Sequence, residues 1–142
     1  MKKLLFICVA LLSIQFSFAQ ASTEAKTYIK NLGIKQQLDL IKGDVSNVIL
    51  AENTDQFNKE YDDLVTSYIT SLENLMHDSY SAEDLNKMNT SLEKNEALEP
   101  IMPKDLESFQ QKAEKIENEM GISIEGIVMK YGDPVKLQEM EQ

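Results

Sequence analysis

Arginine and tryptophan are absent from the 142-residue chain, and cysteine and histidine occur once each. All fourteen basic residues are therefore lysines, against 24 acidic residues, and the formal net charge is −10. Without arginine the chain lacks the side chain best suited to bidentate recognition of phosphate. The excess of negative charge is unfavourable for binding nucleic acid or an anionic membrane surface, so we expect neither as a partner.

The first nineteen residues have the pattern of a secretory signal peptide. Lys2 and Lys3 precede an apolar run over residues 4–12, and Ala19 provides the small side chain that a signal peptidase requires. The apolar run is shorter than the ~20 residues needed to span a membrane. We therefore predict that residues 1–19 are cleaved after Ala19, that the protein is bacterial and exported (periplasmic or secreted), and that no membrane span remains.

The only cysteine, Cys8, lies inside this predicted signal peptide. A lipid anchor at Cys8 is not expected, because phenylalanine and isoleucine precede it rather than a small residue. Cleavage would leave 12 lysines against 24 acidic residues, a net charge of −12. The processed chain could form no disulfide and no cysteine-based metal site, so its stability must come from packing.

Apolar residues recur at helical spacing through residues 20–134, whereas the alternation typical of strands is almost absent. Glycines, prolines and cap residues predict helices over residues 22–33, 34–51, 55–79, 81–94, 103–121 and 123–132, and a break at residues 42–44 is an alternative within the second helix. We predict an all-α fold, an antiparallel bundle of about five to six helices of which two are long. Residues 135–142 are expected to form a polar, frayed tail.

Particular residues predict where these helices begin and end. Gly33 suits the position just after a helix, and Ser81 with Asp84 resembles a capping box. Pro103 suits the first turn of the fifth helix, and Gly121 is expected to end it. Ser123 would then cap a separate short helix.

His77 is the only side chain of the chain whose ordinary pKa lies near neutrality. Glu73 stands four residues before it, and both fall on the polar side of the third helix, so the pattern favours an exposed, weakly interacting pair. A metal site or an acid–base pair is the alternative. With one histidine and no cysteine after processing, zinc is not expected, and calcium is the metal to consider. We predict no cofactor.

Aromatic and methionine side chains on the apolar stripes are the candidate ligand or partner surface. These residues are Phe57, Tyr61, Tyr68, Met76, Phe109 and Met120. Tyrosine and methionine are common at adaptable binding surfaces, whereas ordinary core packing is the alternative. The favoured hypothesis is a non-catalytic module that binds another protein, a second copy of itself or an amphipathic ligand. An acidic-residue hydrolase and a calcium binder are the alternatives.

Residues 80–85 read Tyr-Ser-Ala-Glu-Asp-Leu, an aromatic residue followed by serine, acids and leucine at the start of a short helix. With the signal peptide, the preceding helices and the later Pro103, this resembles a family of small exported bacterial helical proteins, domain of unknown function 2059. Where that family has Phe-Tyr-x-Ser-Pro-x-Gly, residues 89–95 read Asn-Thr-Ser-Leu-Glu-Lys-Asn. The resemblance implies an exported helical fold with no known activity, and it supplies no catalytic residues.

Overall fold

The structure is a computed structural model that describes residues 20–140, with only the backbone for Met140. The predicted signal peptide, residues 1–19, and the last two residues lie outside this range. Within it the chain forms six α-helices: α1 (Thr23–Asn31), α2 (Ile34–Ser46), α3 (Thr54–Ser79), α4 (Ala82–Lys94), α5 (Leu106–Tyr131) and α6 (Pro134–Met140). Residues 20–140 contain no β-strand, so the predicted all-α fold is confirmed.

The two long helices, α3 and α5, lie antiparallel to each other. Each has 26 residues, which corresponds to a length of about 39 Å. Glu60 near the start of α3 pairs with Lys130 near the end of α5, whereas Tyr80, just after α3, contacts Phe109 near the start of α5. In one direction along the pair, residue numbers therefore increase in α3 and decrease in α5. The prediction of a helical bundle with two long helices is confirmed.

The buried apolar side chains form two clusters, and α3 belongs to both. At one end, Phe57, Tyr61 and Val65 pack against side chains from α2 and α5. Near the other end, Met76 packs with Tyr80 against side chains from α1 and α4. Helix propensity alone seldom stabilises a short helix in water, so α1, α2 and α4 depend on packing with α3 in these two clusters.

Two of the predicted boundary residues behave as expected. Gly33, between α1 and α2, has a φ of 69°, in the left-handed region that glycine adopts at least cost. The Ser81 hydroxyl accepts a hydrogen bond from the backbone N–H of Asp84 at 3.1 Å and donates one to Asp84 Oδ2 at 2.6 Å. The end of the first helix at Gly33 and the capping of α4 by Ser81 are therefore confirmed.

The predicted break in α5 at Gly121 is wrong, because the helix continues through Ser123 to Tyr131. Met120 and Tyr131 are both buried in the first cluster, one just before and the other well beyond Gly121. Their packing outweighs the roughly 1 kcal/mol by which glycine disfavours a helix interior. Helix α5 also begins later than predicted, at Leu106, because the Asp105 carboxylate accepts a hydrogen bond from the Ser108 backbone N–H at 3.0 Å.

Helix α2 ends at Ser46 rather than near residue 51. The chain leaves the helix there because its backbone pairs with the end of α5. The Leu50 N–H donates to the Tyr131 carbonyl at 3.0 Å, and the Asp133 N–H donates to the Val48 carbonyl at 2.8 Å. These two bonds fix the connection between α2 and α3 against the last turn of α5.

The expected frayed tail over residues 135–142 is instead helical as far as Met140. Pro134 occupies the first position of α6, where its missing N–H costs nothing. The Asp133 carboxylate accepts a hydrogen bond from the Val135 backbone N–H at 2.9 Å and so satisfies one free donor of the first turn.

Candidate functional site

Four of the six predicted binding residues lie in the core. Phe57 and Tyr61 have no exposed surface, and Met76 and Met120 are each 7% exposed. The Tyr61 hydroxyl donates a hydrogen bond to the Leu38 carbonyl of α2 at 2.9 Å, which ties the ring to the neighbouring helix. Because α1, α2, α4 and α5 together cover the apolar stripe of α3, these four side chains are core residues rather than a partner surface.

Tyr68 and Phe109, the other two, are half-buried. The Phe109 ring meets the Tyr80 ring edge-on, with 5.8 Å between centroids. Tyr68 lines a shallow depression between α3 and α5 together with Ser67 and Ile116. Burial raises the pKa of the Tyr68 phenol. Both rings pack against the core clusters, Tyr68 against the first and Phe109 against the second, so each leaves only part of its surface to a partner.

His77 and Glu73 do not form a joint site. His77 is half-buried rather than exposed, and it lines a cleft with Asp78 and Lys104 where the chain turns after α3. Glu73 lines a different cleft with Lys30 of α1 and the start of α2. No acidic side chain from a second helix joins His77 in its cleft within residues 20–140. The hydrolase alternative therefore gains no support from these residues.

The part of the chain that the structure describes contains no grouping of three or more histidine, cysteine, aspartate or glutamate side chains suited to a metal ion. Asn53 directly precedes α3. Its side-chain amide donates to the Tyr131 carbonyl at 3.3 Å, so the residue ties α5 to α3. None of the helices in residues 20–140 is long and apolar enough to cross a membrane.

An apolar cleft opens between α1, α4 and the segment that follows α4. We call it the α1–α4 cleft, and it has a volume of about 320 Å³. Its lining consists of Tyr28, Met88, Ser91, Leu92, Glu96, Leu98, Glu99, Pro100 and Ile101. Leu92 and Leu98 are 40% and 42% exposed, so part of its apolar wall is in water. Met102 and Leu106, further along the chain, are also exposed.

The segment over residues 96–103 forms one wall of the α1–α4 cleft and is held at its two ends. Helix α4 closes with Asn95 at a φ of 54°, and the Glu96 N–H donates to the Ser91 carbonyl at 3.0 Å. At the far end, the Lys104 N–H donates to the Ser79 carbonyl at 2.9 Å. Residues 97–103 are neither helix nor strand, and prolines at 100 and 103 prevent them from continuing α4.

The opposite wall, between α1 and α4, is fixed by a buried amide. Asn89 is 6% exposed. Its side-chain N–H donates to the Glu24 carbonyl of α1 at 3.0 Å, and its side-chain oxygen accepts from the Asn31 amide at 3.4 Å. Because a buried polar group strongly prefers to keep its partners, these bonds hold α1 and α4 in one relative position. Tyr28 and Met88, on these two helices, therefore form a preformed surface.

No family model, no curated protein and no solved structure matches this chain. The resemblance at residues 80–85 therefore stays a prediction.

Proposed function

We propose that the protein, after export to the periplasm or the cell exterior, is a non-catalytic binding module that holds apolar side chains of a partner protein in the α1–α4 cleft. The observation that carries this proposal is the exposure of Leu92 and Leu98, at 40% and 42%, beside a surface preformed by two helices. Covering such side chains with a partner is favourable by about 25 cal/mol per Å² of apolar surface removed from water.

The polar groups in the α1–α4 cleft are suited to contact rather than to chemistry. Its lining contains neither histidine nor lysine. Burial raises the pKa of the Tyr28 phenol, so this group stays protonated at neutral pH. A hydroxyl from Ser91 and two glutamates complete the lining. General acid–base catalysis most often uses a histidine, and the lining contains none.

The test is selection from a random peptide library displayed on phage, with the exported chain as bait. Synthetic copies of the selected peptides are then titrated against the wild type, Leu98→Ser and the control Leu40→Ser. Leu40 is 72% exposed on α2 and does not line the cleft, so it matches the chemical change without touching the site. We expect Leu98→Ser to weaken binding about tenfold, because a leucine buried on binding contributes roughly 1.5–3 kcal/mol.

Leu40→Ser should leave the peptide affinity unchanged. Both variants should have the same melting temperature as the wild type, since both leucines are exposed in the free protein. Peptides that bind the two variants equally well, or a selection that enriches nothing, would show that the α1–α4 cleft is not a binding site.

A further inference from the structure

We infer that the partner segment taken up by the α1–α4 cleft is a basic, extended peptide, with lysine or arginine side chains beside its apolar anchors. This inference rests on the proposed function and adds to it the charge and the conformation of the partner.

Two carboxylates give the α1–α4 cleft a negative charge. Glu96 and Glu99 both line the cleft and are exposed. The five ion pairs found within residues 20–140 include neither of these carboxylates. Residues 93–107, which contain this wall, carry five acidic side chains against two lysines. A cationic partner would therefore meet unpaired carboxylates beside the apolar surface, which speeds association and fixes the orientation of the partner.

The backbone of the same wall has hydrogen-bonding groups without a backbone partner in the described part of the chain. Within the described chain, no backbone–backbone hydrogen bond involves residues 97–103. Glu99 and Met102 each precede a proline, which restricts both to extended conformations. An extended stretch with unpaired N–H and C=O groups can accept a second chain alongside it through main-chain hydrogen bonds. Prolines at 100 and 103 limit such pairing to a few bonds, as on an edge strand.

Two other kinds of ligand fit these observations less well. A fatty acid or another anionic amphiphile would bring its own negative charge next to Glu96 and Glu99, in a chain whose net charge is already −10. A neutral apolar molecule could fill the cleft but would use neither the carboxylates nor the unpaired backbone of residues 97–103. The basic peptide is the one class that uses all three features.

The experiment compares three synthetic ten-residue peptides that share the same leucine positions and carry lysine, serine or glutamate at the remaining variable positions. Each is titrated calorimetrically into the exported wild type, into Leu98→Ser, into the double variant E96Q/E99Q and into the control E114Q/E125Q. Glu114 and Glu125 are exposed on α5, away from the cleft, so the control removes the same total charge. All titrations are repeated at low and high salt.

We expect the lysine peptide to bind the wild type best, and E96Q/E99Q to weaken that binding about fivefold, whereas E114Q/E125Q changes it less than about twofold. High salt should remove most of the difference. Equal losses in the two double variants would overturn the inference, because they would show attraction to net charge alone. Preference for the serine or glutamate peptide, lost on Leu98→Ser, would overturn the basic character of the partner and leave the proposed function standing. If all three peptides bind and Leu98→Ser does not change their affinity, both the inference and the proposed function are overturned.

Discussion

The Asn89 side chain of α4 donates a hydrogen bond to the Glu24 backbone carbonyl of α1 at 3.0 Å. The amide is buried, and it also accepts a hydrogen bond from Asn31 at the end of α1. One polar side chain therefore joins the two helices that form one wall of the α1–α4 cleft. The stability of the bundle and the shape of its candidate site depend on the same contact.

Replacing Asn89 by alanine removes both hydrogen bonds and leaves a small void. We expect the free energy of unfolding, measured by urea denaturation, to fall by about 1–3 kcal/mol. Asn86→Ala is the matched control, because Asn86 is exposed on the same helix. It should change stability by less than about 0.5 kcal/mol. A loss at position 89 no larger than that at position 86 would contradict the role assigned to the buried amide.

Tyr61 and Tyr68 lie on the same helix but differ in the contact of their hydroxyl groups. The Tyr61 hydroxyl donates to the Leu38 carbonyl of α2 at 2.9 Å, and no side-chain hydrogen bond of Tyr68 is found within residues 20–140. Tyr61→Phe should lower the free energy of unfolding by about 1 kcal/mol, because it removes one buried hydrogen bond and little volume. Tyr68→Phe should be close to neutral. Thermal melts that rank the two variants in the opposite order would count against the placement of α2.

Glu60 connects the ends of the two long helices. Its Oε1 accepts hydrogen bonds from Lys130 Nζ and from the Tyr131 hydroxyl, both at 2.7 Å. Both hydrogen bonds lower the pKa of the Glu60 carboxyl below its ordinary value, and the one from Lys130 has the larger effect. A carboxyl with a lower pKa in the folded state stabilises the fold above its unfolded pKa of roughly 4.3. That contribution is lost as the pH falls through the folded pKa.

We therefore expect wild type to be more stable than Glu60→Gln near neutral pH, with the gap in melting temperature closing as the pH falls below about 4. The measurement is a series of thermal melts between about pH 3 and pH 7. Glu114→Gln removes an exposed carboxylate of α5 that is in none of the ion pairs within residues 20–140, and its gap should stay near zero throughout. A Glu60→Gln gap that keeps its size at the acidic end would contradict the link between Glu60 and Lys130.

Much of the fold follows from hydrophobic spacing, and α3 shows this best. The pattern predicts a helix over residues 55–79, and the structure has Thr54–Ser79. The same pattern could not tell a core stripe from a binding stripe, because Phe57 and Tyr61 are apolar at helical spacing in either case. Packing of α2 and α5 against α3 makes this stripe part of the core, and that packing depends on contacts between residues that are far apart in the chain.

The α1–α4 cleft could not be predicted because its walls come from two parts of the chain that are far apart in sequence, α1 and residues 88–101. Nothing local to Tyr28 indicates that it lies beside Ile101, more than seventy residues later. One signal was present in the sequence. Leu98, Ile101 and Met102 stand in a stretch that prolines exclude from a helix. Apolar residues in such a segment have to pack outside the regular helical stripes or remain in water, and the structure shows both outcomes.

The continuity of α5 gives the sharpest test of the fold against the sequence pattern. Gly121 lies in the interior of this helix, and a Cβ atom added there would meet nothing within 4 Å. Gly121→Ala should therefore raise the free energy of unfolding by about 1 kcal/mol, because alanine has the higher helix propensity and fewer unfolded conformations. The measurement is urea denaturation followed by circular dichroism.

Gly33→Ala is the control, since Gly33 has a φ of 69° and alanine is strained in that conformation. It should lower the free energy of unfolding by about 1 kcal/mol. If Gly121 ended a helix in the left-handed conformation, as the sequence alone suggests, the two variants would be destabilised alike. Opposite signs at the two glycines are expected only if α5 passes through Gly121 unbroken, because only then does the added methyl group favour the native backbone.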